Sequence, residues 1–180
     1  MKVLKIVLLL SFLYVSGCKK DHFDIKNPDV KTFVQQLKDG TYDRFEFGEN
    51  RERLWAKMPE FNITHLSDLI NMAKDTSLVC PADHFPVNPV SSIPPYRIYD
   101  QKTCVMMGEY LLWCADAVIT KQHFTSLTPR LVNTEKQQQE RLSGKEILEV
   151  RNLYRLWLEK QNETGNSEKF PLEKTDYVWM

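Results

Sequence analysis

Three side chains capable of acid–base chemistry recur at intervals of seven: Glu109, Asp116 and His123. On a straight helix each such step drifts by only about 20°. The three therefore share one line along a segment that is otherwise almost wholly apolar. Carboxylates and an imidazole on one line are the raw material of general acid–base catalysis. Each step also advances about 10 Å along the helix axis, too far for the three to hold one metal ion. The paired carboxylates of inverting glycosidases work at comparable separations, so acid–base work stays open for this stripe. The alternative is structural. The line then faces solvent or the neighbouring proline-rich loop, with Glu109 bonding that loop's backbone amides.

Cys80, His84 and Cys104 are the next group with ligating or nucleophilic chemistry. Their spacing lacks the paired pattern of structural zinc sites and offers no obvious fourth ligand. A Cys–His nucleophile would need a third group to orient the base, and none is apparent. Cys80 and Cys104 bracket the proline-rich loop, so a disulfide between them would staple it. Cys114 lies in the most apolar helix and reads as a small buried hydrophobe. Ser91 and Ser92 lack the Gly-x-Ser-x-Gly elbow. No phosphate-cradling glycine loop and no HExxH occur, so no catalytic residue, metal or cofactor is assigned. Trp55, Trp113, Trp157 and Trp179 could stack on sugars, yet three of the four fall on apolar helical faces, where core packing is the default.

The amino terminus carries the clearest chemistry. Lys2 and Lys5 precede an apolar run over Ile6–Val15, and Ser16 and Gly17 supply small residues before Cys18, the three zones of a secretory signal. Ten apolar residues are short against the roughly 20 of a spanning helix. The order Val15-Ser16-Gly17-Cys18 resembles a bacterial lipobox. That resemblance implies a diacylglyceryl group on the Cys18 thiol, cleavage between Gly17 and Cys18, and a fatty acyl group such as palmitate on the new terminus. Thiolate nucleophilicity accounts for the cysteine, and small neighbours admit a peptidase. Lys19 stands where an aspartate would favour inner-membrane retention, which points to the outer membrane and leaves its periplasmic or outward face open.

Composition narrows the partners. Removing residues 1–17 takes Lys2 and Lys5, leaving two more acidic than basic side chains. That balance argues against a nucleic-acid partner, which would require a basic stripe. The remaining length suits one domain with a real core.

The elements that must position these groups read as helical. Val30, Phe33, Val34 and Leu37 form one apolar stripe behind Asn27 and Pro28. A second helix is expected over 50–57, packing Leu54 and Trp55, and a third over 63–74 with Leu66, Leu69, Ile70 and Ala73 inward. The first and third stripes align without gaps at an offset of 36 residues, a period typical of helical-hairpin repeats. Residues 79–102 hold five prolines, which forbid a regular helix, with enough apolar side chains to lie ordered across the helices. The helix over 103–121 is apolar almost all round and so central. Ser143 and Glu146 form a capping box opening a last amphipathic helix, and the tail from Phe170 carries enough aromatic surface to dock. The expected organisation is a signal peptide over 1–17, a lipidated tether over 18–27 and a single all-α domain over 28–180. That domain is a compact bundle of about five to seven helices with a long ordered proline-rich loop.

The segments Trp55-Ala-Lys-Met-Pro-Glu-Phe61, Phe85-Pro-Val-Asn-Pro-Val-Ser-Ser-Ile-Pro-Pro95 and Gly108-Glu-Tyr-Leu-Leu-Trp113, with the lipobox, resemble uncharacterised lipoproteins of Bacteroides-type bacteria. The pattern is also similar to HEAT-like helical repeats, which implies stacked helix pairs with a concave face. Members of the lipoprotein family carry no assigned activity, so the likeness implies location and fold alone. The chain thus reads as a membrane-anchored cell-envelope protein acting without catalysis on an envelope protein partner. The competing reading is a ligand-binding or hydrolytic protein using the Glu109, Asp116 and His123 stripe, with carbohydrate as a further ligand class.

Overall fold

The first helix forms where a cap and an apolar stripe coincide. In the computed structural model, which describes residues 23–82, 84–86, 104–122, 126, 128–136, 141–164 and 170–180, α1 spans Val30–Lys38. Asp29, rather than Asn27, caps it by accepting the Thr32 N–H at 2.6 Å, which satisfies one of the orphan donors of the first turn. Gly40 ends it at φ 65°, a left-handed conformation that favours glycine. Val30, Phe33, Val34 and Leu37 are all buried.

The expected helix over 50–57 is instead half of a hairpin. β1 (Phe45–Phe47) pairs antiparallel with β2 (Arg53–Ala56). The aromatic, alternating Phe-Glu-Phe run favours a strand, and the intervening Gly48–Glu52 segment turns the chain, with Arg51 at φ 62°. The Gly48 N–H donates to Glu52 O at 2.9 Å and the Arg51 N–H to Gly48 O at 3.0 Å. The Arg53 guanidinium lies 4.3 Å from the Phe45 ring centre.

A 3-10 turn, Ile63–His65, leads into α2 (Leu66–Met72). Asn62 caps the turn and His65 closes a reciprocal box. β3 (Leu78–Val79) then pairs antiparallel with β4 (Val105–Met106). Cys80 and Cys104, the next facing pair, are joined by a disulfide. α3 (Met107–Thr120) follows directly and is buried from Met107 through Ala117. β5 (Leu131–Asn133) pairs antiparallel with β6 (Tyr177–Trp179), with α4 (Gly144–Thr164) between them in sequence.

Four helices and six short strands in three two-stranded sheets make this a mixed α/β architecture among the described residues. The expected all-α bundle of five to seven helices and the HEAT-like superhelix are both overturned. The two echoed stripes do share one core, since Leu66, Leu69, Ile70 and Ala73 are buried beside those of α1. Between them, however, the chain makes the β1–β2 hairpin rather than a second helix, so no helical hairpin repeats.

The core begins earlier than the tether expected over 18–27 allows. Phe23 is 5% exposed and packs on Phe33 and Tyr42 at ring separations of 5.7 and 5.5 Å. Ile25 O accepts the Glu60 N–H at 2.8 Å. Of the proline-rich loop, Ala82, Phe85 and Pro86 are buried, with Pro86 O accepting the Tyr110 hydroxyl at 2.6 Å. The ordered loop expected over the rest of 79–102 lies outside the described residues from 87 to 103.

α3 enters the core against backbone. Its first N–H groups, which have no partner inside the helix, donate to carbonyls of the preceding turn. Met107 N–H reaches Ser77 O at 3.0 Å and Gly108 N–H reaches Asp75 O at 2.7 Å. A Cβ on Gly108 would stand 2.4 Å from Ala73 O, an overlap that only a backbone shift relieves. Gly108→Ala is therefore expected to lower unfolding free energy by about 1–3 kcal/mol, as overpacking does. A urea titration with an unchanged midpoint would contradict this close approach.

Candidate functional site

Burial decides what the acidic stripe can do. α3 carries Glu109 at 1% and Asp116 at 7% exposure, although an unpaired carboxylate in such surroundings is very costly. Each must find donors inside the fold, and each does.

Glu109 Oε1 accepts the backbone N–H of Leu131 at 2.9 Å, which ties β5 to the first turn of α3. Its other oxygen lies 3.9 Å from Arg141 Nε, and the Arg141 guanidinium also donates to the Cys104 carbonyl. The amide partner described is thus on β5, while most of the proline-rich loop, whose amides are the expected partners, lies outside the described residues. Burial pushes the Glu109 carboxyl above the ordinary carboxylate range, and the Leu131 N–H and the charges of Arg141 and Arg130 pull it partly back.

Asp116 faces α4 and β6. Its Oδ1 accepts the Tyr154 hydroxyl at 2.6 Å, and the Tyr154 oxygen accepts the Trp179 indole N–H at 3.1 Å. Burial first, then the neighbouring Asp116 charge, pushes the Tyr154 phenol well above its ordinary value, so it stays a donor at any physiological pH. One chain of hydrogen bonds joins β6, α4 and α3. His123, the third member of the stripe, lies outside the described residues, as do Cys18, Ser91 and Ser92.

The sulfur group resolves differently from a zinc site. Cys80 and Cys104 are bonded to each other, which removes both thiolates. His84 Nε2 donates to Leu37 O at 2.6 Å, satisfying a carbonyl in the last turn of α1. Among the described residues no group of three or more His, Cys, Asp or Glu is placed to hold a metal ion. Cys114 is buried and unoxidised, and burial raises its thiol far above the ordinary range. It is inert as a nucleophile.

Of the tryptophans, Trp113 is fully buried and donates to Ser126 Oγ at 3.0 Å, and Trp157 is 8% exposed. Neither offers a face for sugar stacking. Two grooves lie elsewhere among the described residues. One of 620 Å³ runs along Phe23, Ile25, Lys26, Arg44, Phe45 and Phe47. The other, of 330 Å³, lies among Met58, Phe61, Cys114, Ala117 and Val118. Glu109 and Asp116 line neither.

Sequence reasoning named Glu109 and Asp116 but missed Leu131, Arg141, Tyr154 and Trp179 as their partners. In the sequence Tyr154 is one aromatic residue of the amphipathic α4. A buried tyrosine normally finds a partner for its hydroxyl, and that was the available signal.

Two carboxylates give opposite pH signatures. Glu146 is held down to about 2 by Lys136, 2.6 Å away, and by the Ser143 backbone. Its contribution is complete above the ordinary glutamate value of about 4.3 and fades as pH falls toward 2. Glu109 is raised, so between the ordinary value and its own the folded chain binds more protons than the unfolded one, and stability falls as pH rises. Glu109→Gln is expected to flatten that upper slope while keeping the acceptor for Leu131. Glu109→Leu leaves the buried N–H unpaired at a cost of about 1–3 kcal/mol. Urea midpoints measured across pH check both, and an identical pH profile in Glu109→Gln would contradict the assignment.

No curated protein and no solved structure matches this chain. The match that exists is to a family model over residues 24–180, beginning one residue after the buried Phe23, and by it the chain belongs to the family described as a domain of unknown function, DUF4943.

Proposed function

We propose that the protein is a lipid-anchored cell-envelope lipoprotein of the Bacteroides type that acts as a non-enzymatic interaction module. The observation that carries this reading is the order Val15-Ser16-Gly17-Cys18 behind Lys2, Lys5 and a short apolar run. A diacylglyceryl thioether at Cys18 with an acylated amino terminus provides several chains, and each buried methylene contributes about 0.8 kcal/mol. That suffices for stable attachment to the outer membrane. No helix among the described residues is long and apolar enough to cross a membrane, so under this reading the lipid does the holding.

The Cys80–Cys104 disulfide is compatible with an oxidising compartment and so with export. The non-enzymatic part rests on the acidic stripe. Glu109 and Asp116 are buried and engaged by Leu131 and Tyr154, and neither lines either of the two grooves found among the described residues. A hydrolytic role would need at least one of them to reach substrate. The partner under this reading is another envelope protein, and no nucleic acid is involved.

Fractionation of the native host tests the anchor. The wild-type chain is expected in the membrane pellet and to incorporate labelled palmitate. Cys18→Ser is expected to lose the label and leave the pellet once any uncleaved signal is removed. A Cys18→Ser chain that is cleaved yet still sediments with membranes would overturn the reading.

A further inference from the structure

The early start of the core constrains how the domain sits, given the lipid-anchor reading on which this inference rests. Phe23 stands five positions after Cys18, and five extended residue steps span at most about 18 Å. Phe23 is fixed in the core against Phe33 and Tyr42, so it cannot pay out more chain. The Phe23 backbone is therefore held within about 18 Å of the acylated residue, and the surface around it stays near the membrane.

That surface has the chemistry for an interface. The 620 Å³ groove beside Phe23 is lined by Ile25, Phe45 and Phe47 together with Lys26, Arg44 and Lys57. Phe47, at the end of β1, is 54% exposed, and Arg53 lies over Phe45. Aromatic rings with basic side chains at their edge suit the boundary between headgroups and acyl chains, where apolar bodies with polar tips settle. Asp24 and Asp43 line the same groove, so its net charge is small. Attraction to anionic lipid therefore contributes little, and the contact depends on the rings.

We infer that the β1–β2 hairpin, led by Phe47, rests on the lipid surface and is the membrane-facing side of the anchored domain. The occupant is the bilayer that holds the lipid, not a second protein.

Spin labelling of the native lipidated protein in phosphatidylethanolamine–phosphatidylglycerol vesicles tests this. Cys114 is buried and Cys80 and Cys104 are bonded, so an introduced surface cysteine takes the label. A nitroxide at Glu49→Cys, on the hairpin turn, is expected to become less accessible to a water-soluble nickel chelate and more accessible to oxygen on vesicles than in the unlipidated Cys18→Ser form. A nitroxide at Leu156→Cys on the outer face of α4 is expected not to change. Adding Phe47→Ser to the Glu49 label should reverse most of the protection, and varying the phosphatidylglycerol fraction should not. A Glu49 label as exposed on vesicles as in solution, with the diacylglycerol present in the intact mass, overturns the orientation and leaves the anchor standing. An intact mass without that lipid overturns the anchor and the orientation together.

Discussion

The fold depends on the burial of α3 with two carboxylates still on it. A helix apolar almost all round would be a passive core element. Glu109 and Asp116 turn it into a clamp, because a carboxylate taken out of water must be met by donors from whatever packs against it. The donors come from the carboxy-terminal third of the chain. Leu131 on β5 answers Glu109, and Tyr154 on α4, backed by Trp179 on β6, answers Asp116. The pair β5–β6 is only three residues long on each side. Two such strands alone are marginal in water, so the hydrogen bonds to α3 matter out of proportion to their number.

The same arrangement explains why Glu109 and Asp116, which look catalytic in the sequence, are held inside the fold. Acid–base work needs a group that reaches substrate and titrates near the working pH. Glu109 is raised by burial, which taken alone resembles a functional group. Its described surroundings are structural: a backbone N–H and a guanidinium at 3.9 Å, with neither of the two described grooves reaching it. A perturbed carboxylate is here the consequence of tying a strand to a helix.

Much of the local structure was legible. The stripes Val30, Phe33, Val34, Leu37 and Leu66, Leu69, Ile70, Ala73 are buried, the Ser143–Glu146 box forms, and the tail docks as β6. These rest on spacing within one turn or one helix, which a sequence displays directly. The hairpin did not show itself, because Leu54 and Trp55 fit a helix stripe as well as a strand face. Only the turn at Gly48–Glu52 and the pairing with Phe45 and Phe47 decide between them. Leu131 was invisible as a partner because any residue has an N–H, and the one that meets Glu109 is selected by tertiary packing. For the same reason a period of 36 residues was no guide to architecture. Two helices can share a core without the chain between them repeating.

Native-state hydrogen exchange tests most directly whether α3 holds the carboxy-terminal strands. In the wild type the amides of Leu131 and of the β5–β6 ladder are expected to exchange only through global unfolding. In Tyr154→Phe, which breaks the bond to Asp116 and the bond from Trp179, the β6 amides are expected to exchange faster through a local opening while those of α1 and α2 keep their protection. Equal protection of β6 in both proteins, relative to global stability, would contradict the account.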